Sequence, residues 1–221
     1  MPRGNYLEKN KVIILIPSHN EIKTLKKICL EVKKLRLKFL VVDDASNDGT
    51  LEWLKKKNIN YIKNKNNIGY ENSIISGINY IIKNFDSKYL ITFDADGEHQ
   101  TKDLIRVIKC LNHKNVDMII GNRNKFNRLS EHILSFLFSI KFGVKDPLSG
   151  FKAYSVHKLK KIKNKINSKF YLVDIIILFK TKNFFIKNVP IKARKRTDKS
   201  RVGNIFFTNI KILSLLKFIL K

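Results

Sequence analysis

Acidic side chains and cysteines are both scarce in this chain. Only 18 Asp and Glu stand against 45 Lys and Arg, a formal net charge of +27. Any cluster of acids in such a background needs a reason. The two cysteines, Cys29 and Cys110, lie far apart. That excludes a disulfide framework and a cysteine metal motif, and reduced cytosolic thiols are the expectation. The opening Met1-Pro-Arg-Gly-Asn5 is polar and lacks the apolar stretch of an export signal, so export is not expected. No internal repeat and no Pro/Gly/Ser-rich linker divides the 221 residues, which suit one sizeable domain with at most a small appendage.

What is present is a real core. A hydrophobic content of 43% is too high for a disordered polycation. The pI of about 10.1 points to anionic partners such as nucleotides, phospholipid headgroups or nucleic acid. Lys, Asn and Ile are abundant along the whole chain, however, so the charge alone selects no single partner.

Apolar runs alternate with helical periodicity. Strands are expected at Val12–Pro17, Phe39–Asp43, Asn60–Lys63, Tyr89–Phe93 and Asp117–Gly121. Helices are expected at Ile22–Leu35, Thr50–Lys57, Glu71–Ile82 and Lys102–Leu111. This order predicts an α/β fold with a mostly parallel central sheet and helices on both faces. Ligands of such sheets sit beyond the carboxyl ends of the strands, where Ser18–Glu21, Asp43–Asp48, Asp94–Glu98 and Asn122–Arg123 fall. Further on, Ser130–Phe142 reads as an apolar helix and Asp146–Tyr154 as a turn entering a strand. Tyr171–Lys182 reads as a helix, and Phe184–Arg194 as a strand pair or extended segment.

The segment Tyr89-Leu-Ile-Thr-Phe-Asp-Ala-Asp-Gly-Glu-His-Gln100 is the most informative. An apolar strand ends in Asp94, Asp96 and Glu98 on alternate positions. Close carboxylates repel unless a cation lies between them. Oxygen ligands at that spacing suit Mg²⁺ or Mn²⁺, which commonly bind substrate phosphates as well. A solvated acidic turn is the plainer alternative for an isolated D-x-D.

Four strand ends carry motifs in a set order: Ile16-Pro-Ser-His-Asn-Glu21, Val41-Val-Asp-Asp-Ala-Ser-Asn-Asp-Gly-Thr50, Asn64-Lys-Asn-Asn-Ile-Gly-Tyr70 and Phe93-Asp-Ala-Asp-Gly-Glu-His99. Together they resemble a family 2 glycosyltransferase of the GT-A fold. The nearest branch is the dolichol- or polyprenyl-phosphate mannosyl- and glucosyltransferases. Gly121-Asn-Arg123, Asp146-Pro-Leu-Ser-Gly-Phe-Lys152 and Val189-Pro-Ile191 fit that branch too, so the likeness runs from about Lys11 to Ser200. The resemblance implies a catalytic domain over residues 1–203 and metal-dependent, inverting transfer of a sugar from a nucleotide-sugar of the GDP-mannose or UDP-glucose type to a polyprenyl or dolichyl phosphate.

By that resemblance, Pro17, His19, Asn20 and Glu21 contact the nucleotide, Asp43 or Asp44 binds its base, and Gly69 and Ala95 also belong to the donor site. Glu21 could equally be a first-turn carboxylate favoured by a helix dipole, Gly69 a plain helix start, and Asp48-Gly49 mainly a structural turn. Asp94, Asp96 and Glu98 would hold Mg²⁺ or Mn²⁺; Glu98 stands where the family often has Gln. His99 is either a ligand-side residue or a helix-start histidine. Arg123 and Lys152 would meet phosphate, with Ser149, Arg194, Arg196, Ser200 and Arg201 on the acceptor side. Asp198 replaces the glycine of the family's Arg-x-Gly-x-Ser pattern, and the basic loop could also be plain solvated surface. Asp174, an acid within an apolar helix, calls for a basic partner, substrate or a polar helix face.

A phosphate acceptor is already ionised and needs no strong base, so catalysis reduces to positioning and charge neutralisation. A hydroxyl acceptor on a saccharide, glycolipid or protein would need a base, with Asp146 the first candidate. The Gln-x-x-Arg-Trp motif of processive synthases is missing; the only tryptophan is Trp53. Nucleic-acid binding is disfavoured, because no helix-turn-helix, RNP or zinc pattern accompanies the charge, and the intact Asp94-x-Asp96 argues against an inactive scaffold.

Residues 204–221 are apolar but interrupted by Asn209, Lys211, Ser214 and Lys217. That is too short and too charged to span a bilayer, which takes about 20 apolar residues. An amphipathic interfacial helix fits, as does ordinary core packing. The expectation is therefore a peripheral protein on the cytoplasmic face of a membrane, with the oligomeric state open between a homo-oligomer and association with a membrane-anchored subunit.

Overall fold

The computed structural model describes residues 9–111, 116–126, 128–166, 170–194 and Leu215. A half-Rossmann-like run opens it: β1 (Val12–Ser18), α1 (Ile22–Lys34), β2 (Lys38–Asp43), α2 (Thr50–Lys56), β3 (Tyr61–Lys63), α3 (Tyr70–Asn84) and β4 (Tyr89–Thr92). Then follow α4 (Thr101–Leu111), β5 (Met118–Arg123), α5 (Leu129–Phe142), β6 (Lys152–Ser155), α6 (Val156–Ile162), α7 (Tyr171–Thr181) and β7 (Ile186–Ile191). The strands form one sheet in the order β3-β2-β1-β4-β6-β5-β7. β6 runs antiparallel to β4 and β5, and every other pairing is parallel.

The expected elements are present with ends shifted by a residue or two. The differences lie in the second half. Phe184–Arg194 yields one strand, β7, paired with β5, rather than a strand pair. The short helix α6 was not expected; seven residues carry too little periodicity to announce it. Nor does any local pattern tell that β6 inserts between β4 and β5.

Both faces of the sheet are covered, which is why its strands read as unbroken apolar runs. Along β1, Ile13 and Leu15 face one core with Leu40, Val42, Ile74 and Ile78. Val12, Ile14 and Ile16 face the other with Leu25, Ile28, Val32 and Leu104. The helix α3 lies unusually close to its face of the sheet. A Cβ on Gly77 would stand 2.3 Å from Leu15 Cδ1 and 2.9 Å from Val42 Cγ2, so only glycine permits that approach. The close seating of α3 fixes the position of its first residue, Tyr70, at the mouth of the sheet.

No described helix is long and apolar enough to cross a membrane. The expected helix over residues 204–221 lies outside the described residues except for Leu215, which is buried in the core beside α7.

Candidate active site

At the carboxyl ends of β1, β2 and β4 lies a cleft of about 540 Å³. It is lined by Pro17, Ser18, His19, Glu21, Asp44, Asn67, Gly69, Tyr70, Glu71, Ser73, Asp94, Ala95, Asp96, Leu148, Gly150 and Leu172. Of the residues expected at a donor site, Pro17, His19, Glu21, Asp44, Gly69, Asp94, Ala95 and Asp96 are brought together on its wall.

The loops around the cleft are stitched by side chains. Asp48 accepts from the Ile22 N–H at 2.9 Å and from Thr50 at 2.6 Å. It thus caps α1 from another loop, since Glu21 makes no side-chain cap of its own. Burial raises the Asp48 pKa, but the hydrogen bonds from Thr50 and Ile22 outweigh it and leave the carboxyl below its ordinary value. The role of Asp48 is structural.

His19 joins three loops. Asn20 Oδ1 accepts from the Asn47 N–H, and Asn67 Oδ1 from the Gly69 N–H. Both amides therefore turn their NH₂ groups toward His19 Nε2, each at 3.1 Å. Nε2 must be the acceptor, which leaves the proton on Nδ1, donated to the Asp44 carbonyl at 2.7 Å. The three contacts fix the orientation of the ring.

Asp44 is only 3% exposed, and its carboxylate is well supplied. Oδ1 accepts from Asn64 Nδ2 and the Ile68 N–H, and Oδ2 from the Gly69 N–H, each at 2.9 Å. It shapes the loop ahead of α3 as much as it faces the cleft. Asp43 is fully buried; Oδ1 accepts from the Ser46 N–H, while Oδ2 has no partner among the described residues. The Ser18 hydroxyl and His99 Nδ1 are likewise buried without a partner there. Orphaned polar atoms are rare in folded proteins; of these three residues, Ser18 is on the cleft wall. Asn20 acts through these stitches and does not line the cleft.

The acidic pair closes the other wall. Asp94 Oδ1 accepts from the Tyr70 hydroxyl at 2.6 Å. Burial first, then the adjacent Asp94 charge, holds that phenol well above its ordinary pKa, so it remains a donor. Asp94 Oδ2 lies 3.7 Å from His99 Nδ1. His99 itself is packed between Phe93 and Phe151, 5.6 and 5.3 Å away by ring centroids, as a buried aromatic rather than an exposed ligand. Asp96 Oδ1 accepts from the Glu98 N–H at 3.0 Å. The Glu98 carbonyl in turn accepts from the Arg194 N–H, and Glu98 is not on the cleft wall.

Among the described residues no group of three His, Cys, Asp or Glu side chains stands ready as a cation cage. The expected triad with Glu98 is therefore not preassembled. The donor set still fits Mg²⁺ or Mn²⁺, because such ions take one or two carboxylates and complete their shell with substrate phosphates and water. Asp94 and Asp96 provide those two hard oxygen donors on one cleft.

The acceptor-side residues differ from expectation. Arg123 makes a bidentate pair with Asp146 at 2.8 and 3.0 Å, with Glu131 3.6 Å away. Desolvation opposes its charge, but the bonds to Asp146 dominate and the guanidinium is held above its ordinary pKa. Asp146 is 1% exposed and also accepts from the Arg123 N–H. Neither reaches the cleft; the pair anchors the loop from 146 to 151. Lys152 and Ser149 are fully buried. The Lys152 ammonium donates to the Pro147 carbonyl at 3.0 Å and to the Ser149 carbonyl, beneath the loop rather than on an acceptor phosphate. Burial pulls its pKa from 10.5 to about 7. Arg194 is described, but Arg196, Asp198, Ser200 and Arg201 lie outside the described residues.

Tyr70, Glu71, Ser73 and Leu172 were missed from sequence. Tyr70 follows the Gly69 turn directly, which was the available signal; Leu172 had none.

The family model of glycosyl transferase family 2 matches residues 13–184. An uncharacterized protein of Methanocaldococcus jannaschii is 32% identical over 95% of this chain and 92% of its own length. The UDP-N-acetylglucosamine–dolichyl-phosphate N-acetylglucosaminyltransferase of Methanococcus voltae is 26% identical, covering 82% of this chain and 85% of its own. The undecaprenyl-phosphate mannosyltransferase of Micrococcus luteus is 27% identical, covering 84% of each. Among solved structures, glucosyl-3-phosphoglycerate synthase of Mycobacterium tuberculosis, in complex with Mn²⁺, UDP and glucosyl-3-phosphoglycerate, superposes with a TM-score of 0.74. It covers 95% of this chain and 79% of its own at 13% identity, a likeness of fold alone.

Two consequences are testable here. Breaking the Arg123–Asp146 pair with Asp146→Ala leaves the buried guanidinium only Glu131, 3.6 Å away, and is expected to cost about 3 kcal/mol of stability by chemical denaturation; an inactive variant of unchanged stability would instead make Asp146 a catalytic group. Lys152 binds its proton more weakly folded than unfolded, so its burial penalty shrinks as pH rises from about 7 toward 10.5. Wild type should therefore gain stability relative to Lys152→Met across that window, and parallel stability–pH curves would show that the side chain does not titrate there.

Proposed function

The chain belongs to glycosyltransferase family 2, a GT-A glycosyltransferase, and from that premise we propose that it transfers a sugar from a nucleotide-sugar of the GDP-mannose or UDP-glucose type to a polyprenyl or dolichyl phosphate, with inversion and with Mg²⁺ or Mn²⁺ bound. The observation that carries this reading is the cleft at the strand ends. On it Asp94 and Asp96 share one pocket with the stitched Pro17–Glu21 and Asp44–Gly69 walls. The relatives named for dolichyl- and undecaprenyl-phosphate transfer support the acceptor class.

In this reading, Asp94 and Asp96 hold the cation, which when bound neutralises diphosphate charge and eases departure of the nucleotide. His19, Asp44 and the Asn67–Gly69 turn keep the nucleotide wall rigid before substrate arrives, so little ordering remains to be done on binding. Ser18, whose hydroxyl has no partner among the described residues, lines the same wall. Gly150 and Leu148 bring the acceptor side against the acidic pair. The bidentate pairing of Asp146 with Arg123 removes the base first expected for a hydroxyl acceptor, and the phosphate reading rests on the relatives.

The expected test is transfer of radiolabelled sugar from GDP-mannose, UDP-glucose or UDP-N-acetylglucosamine to polyprenyl phosphate, lost with EDTA and lost in folded Asp94→Asn and Asp96→Asn variants. Full activity in both variants would sink the metal assignment. Nucleotide release only with a saccharide acceptor would move the reading to a hydroxyl acceptor, with Glu71 on the cleft wall as the base to test.

A membrane position fits the same reading. Leu129, Ile133, Phe136 and Ile140 recur every three to four residues along α5 and are 77, 39, 65 and 70% exposed. The opposite side of the helix buries Leu134 and Phe138 in the core. Such a stripe on a +27 chain suits insertion at an anionic bilayer surface, here the cytoplasmic face. Phe136→Glu with Ile140→Glu should leave folding unchanged and reduce co-sedimentation with phosphatidylglycerol vesicles severalfold; undiminished binding would remove α5 from the membrane contact.

A further inference from the structure

One short turn touches both halves of the donor cleft. Ile68 and Gly69 donate their N–H groups to Asp44, on the nucleotide wall. The next residue, Tyr70, donates its hydroxyl to Asp94, on the acidic wall, at 2.6 Å. The two carboxylates follow different strands, β2 and β4, so one turn of three residues ties two strand ends together.

The Tyr70 hydroxyl is buried although the residue as a whole is part-exposed, so Asp94 is the acceptor that satisfies it. The Asp94 side chain keeps 20% exposure, and the bond fixes its orientation. Asp94 is confined on further sides as well. A Cβ on Gly150 would lie 2.2 Å from Asp94 Oδ2 and 2.5 Å from the Tyr70 hydroxyl, so the acceptor loop is pressed onto the pair. His99 Nδ1, buried and unpartnered among the described residues, stands 3.7 Å from Oδ2. A charged oxygen acceptor with an O–H donor at this distance forms one of the stronger hydrogen bonds available to side chains.

We propose that Tyr70 is a positioning residue for Asp94, and that the Asn67–Tyr70 turn couples nucleotide binding to cation binding through this one hydroxyl. The inference rests on the reading of Asp94 as a cation ligand. Ligand-orienting neighbours of this kind commonly account for 10–100-fold in metal affinity. The Tyr70–Asp94 bond is already formed in the turn that holds Asp44, so a nucleotide bound against that turn stabilises the Asp94 orientation that serves the cation. Linkage makes the effect reciprocal: the cation improves nucleotide affinity by the same factor.

The test is Tyr70→Phe, which deletes one oxygen and keeps the ring. Mn²⁺ affinity is measured by electron paramagnetic resonance with Mn²⁺ alone, and again with UDP and with GDP. Nucleotide affinity is measured with and without Mn²⁺. Expected in the variant are roughly 10-fold weaker Mn²⁺ binding, nucleotide affinity unchanged without Mn²⁺, and a smaller enhancement when Mn²⁺ is added. Mn²⁺ affinity within two-fold of wild type, with the enhancement intact, would overturn the inference while leaving the metal reading standing. Absence of Mn²⁺ binding in wild type itself, with either nucleotide, would overturn both, and Asp94→Asn would then match wild type.

Discussion

Carboxylates gathered at one edge of a sheet repel one another, and in this protein the aspartates there are each held by a donor, several of them reaching in from another loop. Asp48 takes the first N–H of α1, and Asp44 takes the turn before α3. Asp43 takes Ser46, Asp96 takes Glu98, and Asp94 takes Tyr70. Asp146 takes Arg123 twice over. The interactions that make these charges tolerable are the same ones that give the loops their shape. A cleft built this way has walls tied together by hydrogen bonds to carboxylates.

The arrangement divides the acids into two kinds. Asp48 and Asp146 are spent on structure, one as a cap and the other as half of a buried ion pair. Asp94 and Asp96 each give up an oxygen to the protein yet still face the cleft. Net positive charge elsewhere does little at this edge, since screened surface lysines act weakly over distance. The site depends on local hydrogen bonds, and the overall charge of +27 bears on the outer surface and what it meets.

The basic groups sort in the same way. Lys152 and Arg123, which the family likeness brings to the acceptor phosphate, are turned inward to support the loop from 146 to 151. The reason is topological. β6 enters the sheet between β4 and β5, so its first residue, Lys152, is flanked by Thr92 and Ile120 on an inner strand and is fully buried. A long side chain starting there can only run beneath the loop, where carbonyls are the available acceptors.

The order of strands and helices in the first half, the covered faces of the sheet and the acidic edge were legible in the sequence by itself. Unbroken apolar runs, helical periodicity and strand-end polar motifs are local signals, and each reports on a few neighbouring residues. The same is true of Asp94-Ala-Asp96, whose meaning comes from the strand it terminates. Only the tertiary structure decided which polar groups are consumed by other polar groups. That His19 clamps three loops, that Asp146 belongs to Arg123, and that Tyr70 addresses Asp94 depend on pairs separated by tens of residues. Hydrogen bonds act over about 3 Å in space, and no spacing along the chain reveals a contact that folding alone creates.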